Sequence, residues 1–355
     1  MKICYFGTFD KNCLRNRVII EGLKRNSIEV VYCHTSYSHV LWVYLKLFFK
    51  WLFLAEKKPS AIIIGETGYI ITPLAKFIGI IWNKPVILDA YFSMFQTEVF
   101  DRLTTNPGSY EAWKLLFVEK IGCRLADLIL LDTNAQINYF CKNIYNKPSG
   151  YMRVFAGSDD KVFHPQAGSV NGKFKVLFWG NYIPLHGIEH IVRAAKMLEQ
   201  EKEIIFEFIG KGQTYHDIVQ LTEQLNTGNV AFLDYIDEKQ LVNKIAEADI
   251  CLGIFGDSSK AVNVIPNKVF QAIALCKPLI TARTPATQEI FIDKESVMFC
   301  EPANPGSLAE KILELNGNPQ LCEKIAKNAY KLFKEKFTPE KVTRELIGWI
   351  NEQHN

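Results

Sequence analysis

The residues best suited to chemistry lie between Asn263 and Gln288, in the stretch NVIPNKVFQAIALCKPLITARTPATQ. Pro266 marks a helix start, where a missing N–H removes nothing the helix needs. Val269, Ala272 and Ile273 recur at helical spacing with Phe270 alongside. Lys277-Pro278 ends the run, and Leu279–Thr281 reads as a short buried strand. A helix N-terminus carries unpaired backbone N–H groups and the positive end of the macrodipole. Asn267 and Lys268 stand at that terminus, so the pattern describes an anion site suited to a diphosphate. An ordinary core helix with a surface lysine would give the same letters.

Two further loops point the same way. Gly180-Asn181-Tyr182-Ile183-Pro184-Leu185-His186-Gly187 follows a strand-like run and precedes a helix. Such a loop can wrap a phosphate with backbone N–H groups, and Asn181 and His186 could donate to its oxygens. The run Phe208-Ile209 is followed by Gly210-Lys211-Gly212, again glycines after a strand with a charge added. Each alone is also a plain strand-to-helix connection. Three such loops at carboxyl ends of strands would surround one ligand, and a nucleobase, ribose and two phosphates need several loops. GKGQTY has two glycines where a dinucleotide fingerprint wants three, and no GxxxxGK[ST] or HExxH occurs. The expectation is a sugar nucleotide as substrate, with no cofactor and no metal.

These loops require a scaffold of alternating elements. Apolar strand runs fall at Lys2–Phe6, Ile28–Cys33, Ala61–Ile64, Val86–Leu88, Leu128–Leu131 and Tyr151–Phe155. Helical stretches between them include Asn12–Arg25, Ser38–Ala55, Tyr69–Ile78, Tyr110–Arg124 and Ala135–Lys142. After a polar, Gly/Ser-rich stretch, AGSDDKVFHPQAGSVNG, the alternation restarts at Phe174–Trp179 and runs to Val297–Cys300. The reading is α/β: two Rossmann-like parallel-sheet domains in tandem with a cleft between them. Their bounds are residues 1–158, a linker at 159–172, residues 173–338, and a C-terminal helix at 339–355 packing back on the first domain.

Charge is uneven. Residues 1–165 hold 20 Lys+Arg against 14 Asp+Glu, so +6, while the whole chain is +3. That basic half suits lipid head groups or phosphate and is too weak for a nucleic-acid binder, so no nucleic acid is expected as partner. Nine scattered cysteines without a CxxC pair read as thiols of a reducing cytosol, and Met1-Lys2 leads straight into a strand, with no signal peptide. The stretch 39–55, HVLWVYLKLFFKWLFLA, carries Trp42, Tyr44, Phe48, Phe49, Trp51 and Phe53 with Lys46 and Lys50. It is short of the ~20 apolar residues of a span. It reads either as a core helix or as an amphipathic helix placing Trp42, Phe49 and Trp51 at an anionic membrane surface.

The second half resembles the retaining glycosyltransferases of family 4, which have the two-domain GT-B fold. The residues that carry this are AGSDDKVFHP, FWGNYIPLHGIEHIVRAA, FIGKG, IPNKVFQAIALCKPLITARTPATQEIF and EPANPGSLAEKILELNGNPQLCEKIAKNA. The likeness is strong over residues 151–335 and architectural before them. It implies donor binding on the C-terminal domain. Where the family has Arg and Lys against the diphosphate, this chain has Asn181 and His186. The family's paired glutamates fall on Asn263, implied to contact the donor sugar, and Gln271, implied to hold the ribose. Neutral acceptors make weaker bonds than carboxylates. The resemblance also turns Gly7-Thr8 toward the donor phosphates. It puts Asp89 near the reacting sugar, to orient the acceptor or act as its base, although an Asx-turn or helix cap would explain Asp89 equally.

The expected function is a cytoplasmic transferase, peripheral at the inner face of the membrane. It would move a sugar from a nucleoside-diphosphate donor to a hydroxyl of a surface glycan or lipid-linked saccharide, with retention and without metal. A sugar-nucleotide epimerase on the same fold, or a non-catalytic sugar-nucleotide-binding partner, would fit the same loops.

Overall fold

The structure, a computed structural model, describes residues 1–57, 59–166 and 172–353. Among the described residues twelve strands form two six-stranded sheets, and every pairing within them is parallel. The chain divides into two units, residues 1–157 with 337–355, and residues 158–336.

In the first unit the elements alternate as β1 (Lys2–Gly7), α1 (Leu14–Arg25), β2 (Glu29–His34), α2 (Val40–Ala55), β3 (Ala61–Ile64), α3 (Thr72–Trp82) and β4 (Val86–Tyr91). A short turn, α4 (Met94–Gln96), precedes α5 (Tyr110–Leu125), β5 (Leu128–Leu131), α6 (Asn134–Asn143) and β6 (Tyr151–Arg153). The strand order is β2-β1-β3-β4-β5-β6. The two-residue period of the strands sorts their side chains to opposite faces. Cys4, Phe6, Ile62 and Ile64 join Leu47 and Trp51 of α2, Ile78 of α3 and Cys123 of α5 in one core. Ile3, Tyr5, Ala61 and Ile63 join Ile19 and Leu23 of α1 in the other. Trp51, expected at a membrane surface, is fully buried in the first of these cores, so that expectation is corrected for this side chain. Trp42 and Phe49 are exposed.

The second unit runs β7 (Phe174–Trp179), α7 (Ile188–Met197), β8 (Ile204–Ile209), α8 (Tyr215–Gln224), β9 (Val230–Leu233), α9 (Glu238–Glu247) and β10 (Ile250–Leu252). It continues with α10 (Asn267–Ala274), β11 (Leu279–Ala282), β12 (Met298–Cys300), α11 (Pro305–Asn316) and α12 (Pro319–Lys336). Strand order is β12-β11-β10-β7-β8-β9. The order reverses between β7 and β10, and ligands of such sheets bind beyond the carboxyl ends at that switch point. The Gly180 loop leaves β7 and the 253–263 segment leaves β10 there.

Residues 159–166, read from sequence as linker, belong to the second unit, with Phe163 buried; linker residues 167–171 lie outside the described residues. After Lys336 the chain returns to the first unit through α13 (Pro339–Val342) and α14 (Arg344–Glu352). Leu346 and Ile350 enter the α1 core, and Asn26 Nδ2 donates to Glu340 O at 3.0 Å. Gly22 permits the approach: a Cβ there would lie 2.1 Å from Pro339 O.

Candidate functional site

The site grows from the first turn of α10. Pro266 caps the helix in extended backbone conformation, so Lys268 falls on its second residue. The amphipathic face turns Lys268 inward with Val269: the side chain is only 5% exposed. Its Nζ lies 3.7 Å from the centre of the Phe178 ring and has no hydrogen-bond partner among the described residues. Burial pushes its pKa well below the ordinary lysine value. The cation–π contact returns a part of the lost hydration, but a buried ammonium without a counter-charge remains unfavourable. An anion beside it would remove that penalty.

Glycines keep the space beside this ammonium open. Gly180 has φ of +130°, and a Cβ there would sit 3.2 Å from Lys268 Nζ and 3.5 Å from His186 Cε1. Gly210, at φ +118°, backs onto the same loop, where a Cβ would lie 2.3 Å from Gly180 O. Both conformations favour glycine, and at Gly210 the contact with the Gly180 carbonyl excludes a side chain as well. Gly210→Ala is therefore expected to push the Gly180 loop toward Lys268 and weaken anion binding at least about tenfold, the equivalent of ~1.4 kcal/mol. Calorimetry with a nucleoside diphosphate measures it, and unchanged affinity would show that the two loops do not set the site together.

His186 closes the turn 184–186, and its Nδ1 pairs with Asn181 O. Burial first, then Lys268 and Lys260, push its pKa well below the ordinary value, so the ring is neutral. A neutral ring donating from Nδ1 to a carbonyl presents a lone pair at Nε2. The expectation that His186 donates to phosphate thus requires the ring to take up a proton when the anion arrives. Phe255 N donates to His186 O at 3.0 Å, tying the β7 loop to the segment after β10.

The other expected donor residues are placed less directly. Asn181 is exposed, and its Oδ1 accepts from the Tyr235 hydroxyl. Lys211 is exposed and ion-paired with Asp234, so its charge is answered within its own loop. Gln271 is buried on α10, and its Oε1 accepts from the Trp179 indole at 2.8 Å, which commits one lone pair of the oxygen expected to hold a ribose. Asn263 ends a short turn after β10, with Nδ2 donating to Ser259 O at 2.8 Å. Asn267 is partly buried at the first residue of α10.

Gly7, Thr8 and Asp89 lie in the first unit. Gly7 ends β1 at φ +125° and Thr8 follows, partly buried. Asp89 lies in β4, fully buried, with Oδ1 accepting from Arg15 Nη2 at 2.9 Å and Oδ2 from Arg15 Nε at 3.0 Å. That corrects the reading of Asp89 as an acceptor base: both oxygens face a guanidinium and neither is open to a substrate hydroxyl. It caps no helix either. Arg15, Trp179, Phe178 and Lys260 were not singled out in the sequence. A buried arginine opposite a strand aspartate is invisible without the tertiary fold, and Trp179 and Phe178 read only as strand residues.

Residues 159–332 match the family described as glycosyl transferases group 1. An uncharacterised glycosyltransferase of Methanocaldococcus jannaschii is 27% identical over 165 residues, 46% of this chain and 44% of that protein. The chain thus spans less than half the length of that curated relative. Among solved structures, HepE of Anabaena in complex with UDP aligns over 99% of this chain and 100% of its own, with TM-score 0.75 and 14% identity. Sucrose-phosphate synthase of Thermosynechococcus elongatus aligns over 100% and 99%, with TM-score 0.76 and 15% identity. A glycosyltransferase of Rickettsia africae aligns over 100% and 98%, with TM-score 0.70 and 12% identity. Two parallel six-stranded α/β sheets in tandem, matching these structures along their length, define the fold as GT-B.

Proposed function

We propose that the chain is a glycosyltransferase whose second unit holds a nucleoside-diphosphate sugar by its diphosphate. The buried, unpartnered ammonium of Lys268 beside Gly180 carries this reading. A diphosphate oxygen at that ammonium gains a charge-assisted bond, and the positive end of α10 adds to it. As the glycosidic bond to the diphosphate breaks, charge accumulates on the leaving oxygens. Fixed donors already aimed there stabilise that charge without reorganisation. His186, once protonated, adds a second donor. HepE, with the same fold, has been solved with UDP-glucose, which supports a uridine nucleotide as the first donor to try. Transfer with retention and without metal, to a hydroxyl of a surface glycan or lipid-linked saccharide, completes the proposal.

The basic, aromatic α2 surface supports peripheral contact with an anionic membrane. Among the described residues no helix is long and apolar enough to cross one.

A thermal-shift series with UDP, GDP and their sugars tests the donor. A ligand bound only by the native state at 100 times its Kd adds about 2.7 kcal/mol. Transfer to an acceptor, followed by NMR of the anomeric proton, then separates retention from inversion. No shift with any nucleoside diphosphate would overturn the reading. Epimerised sugar nucleotide without acceptor, or binding without turnover, would replace it with an epimerase or a binding partner.

A further inference from the structure

Six exposed large apolar side chains lie on α2, among them Trp42 at 59%, Phe49 at 58% and Phe53 at 79%. They do not stand alone. Phe77, Ile80 and Ile81 of α3 are 54%, 70% and 53% exposed, and the Phe48 and Phe77 rings, 6.4 Å apart, join α2 to α3. On α5, Tyr110, Trp113 and Phe117 stack as a ladder with centroids 5.8 and 5.0 Å apart. They are 68%, 55% and 47% exposed, so the ladder packs mainly on itself. All three helices cover the same face of the first sheet.

The spacing 110, 113, 117, 120, 124 follows one helical stripe, so the ladder continues into exposed Lys120 and Arg124, with exposed Lys114 beside it. On α2, Lys46 and Lys50 are exposed, and neither α2 nor α3 contains an acidic residue. Glu111 is the exposed acid of α5, since Glu119 is buried against Ser93 and the Phe95 amide. A wide apolar surface flanked by unbalanced positive charge complements an anionic lipid surface. It does not complement a second copy of itself, which would oppose cation to cation.

Building on the proposed peripheral contact through α2, we propose that α3 and α5 extend it into one three-helix docking face for an anionic bilayer. The Tyr110–Trp113–Phe117 ladder inserts among the head groups, as amphipathic rings favour that depth. Lys114, Lys120 and Arg124 meet the lipid phosphates.

The test is co-sedimentation of the full chain with vesicles of phosphatidylcholine alone and of phosphatidylcholine with phosphatidylglycerol. Wild type is expected to bind the anionic vesicles and to be released by salt. Trp113→Glu/Phe117→Glu is expected to lower binding at least tenfold, and Lys114→Glu/Lys120→Glu, which alters exposed side chains only, should do the same. Leu45→Glu/Phe49→Glu reports on α2, and a retained cooperative melt confirms that each variant folds. If the α5 variants bind like wild type while the α2 variant does not, the extension is wrong and the α2 contact stands. If wild type ignores both vesicle types, both readings fall. If wild type is a dimer that the α5 substitutions split, without vesicle binding, the face is a self-interface and the proposal is overturned.

Discussion

Replacing Lys268 by methionine is expected to raise the melting temperature of the ligand-free protein and to remove most of the shift produced by a nucleoside diphosphate. The two effects have one cause. In the free protein the Lys268 ammonium is buried without a counter-charge, over the Phe178 ring. Methionine keeps the apolar stem and deletes the charge, and with it the cost of burying a charge that nothing compensates. The bound diphosphate loses a charge-assisted bond worth ~1.5–3 kcal/mol, so affinity should fall about 10- to 100-fold.

Burial lowers the Lys268 pKa in the folded state relative to the unfolded chain. Between those two values the unfolded chain binds more protons, so the Lys268 contribution to stability rises with pH in that window. A diphosphate beside the ammonium raises that pKa again. Between the free-state and the bound-state pKa binding should therefore take up a proton, and affinity should fall as pH rises through the free-state pKa. Calorimetry in buffers of differing ionisation enthalpy measures the uptake. A sugar nucleotide is the right ligand, because its diphosphate, esterified at both ends, does not titrate near neutrality. In Lys268→Met the lysine contribution disappears, and any uptake left belongs to His186. A variant that melts lower than wild type and binds the nucleotide normally would mean that Lys268 is structural.

Much of this was legible in the letters. The strands AIII and LILL appear where apolar runs are bounded by turn residues, and β3, β5 and β7 match the expected bounds. Doubly covered parallel strands are continuous apolar runs, so their signal is local. The placement of Lys268 at the start of α10 was legible for the same reason, through Pro266 and the helical period. What the letters withheld depends on contacts between distant residues. The Phe178 ring under Lys268 is 90 positions away in sequence, and the Trp179 bond to Gln271 spans 92. The tautomer of His186 depends on a carbonyl five residues back that only the folded turn brings near. Trp51 and Phe49 belong to one aromatic run, and only the helix rotation separates the buried ring from the exposed one.

Arg15→Met is expected to destabilise the protein strongly, and its effect should stay within the first unit. Arg15 is fully buried in the first turn of α1. Its Nε and Nη2 hold the Asp89 carboxylate of β4, and its Nη1 donates to Val154 O at 2.5 Å and Phe155 O at 3.0 Å. One side chain thus ties α1 to the middle of the sheet and to the segment that follows β6. Burial opposes its charge, and the Asp89 carboxylate more than compensates, so its pKa is raised. Methionine would leave the carboxylate buried and unpaired, a loss of about 3–5 kcal/mol, and two carbonyls without their donor. In Arg15→Met/Asp89→Leu the stranded charge is gone, so part of the loss should return, while the two carbonyls keep the recovery incomplete. Hydrogen exchange read by mass spectrometry resolves the location: faster exchange is expected across β1, β4 and β6, with β7 to β12 and the nucleotide shift unchanged. A loss under ~1 kcal/mol in the single variant, or faster exchange centred on the second unit, would contradict the assignment of this pair as the tie within the first unit.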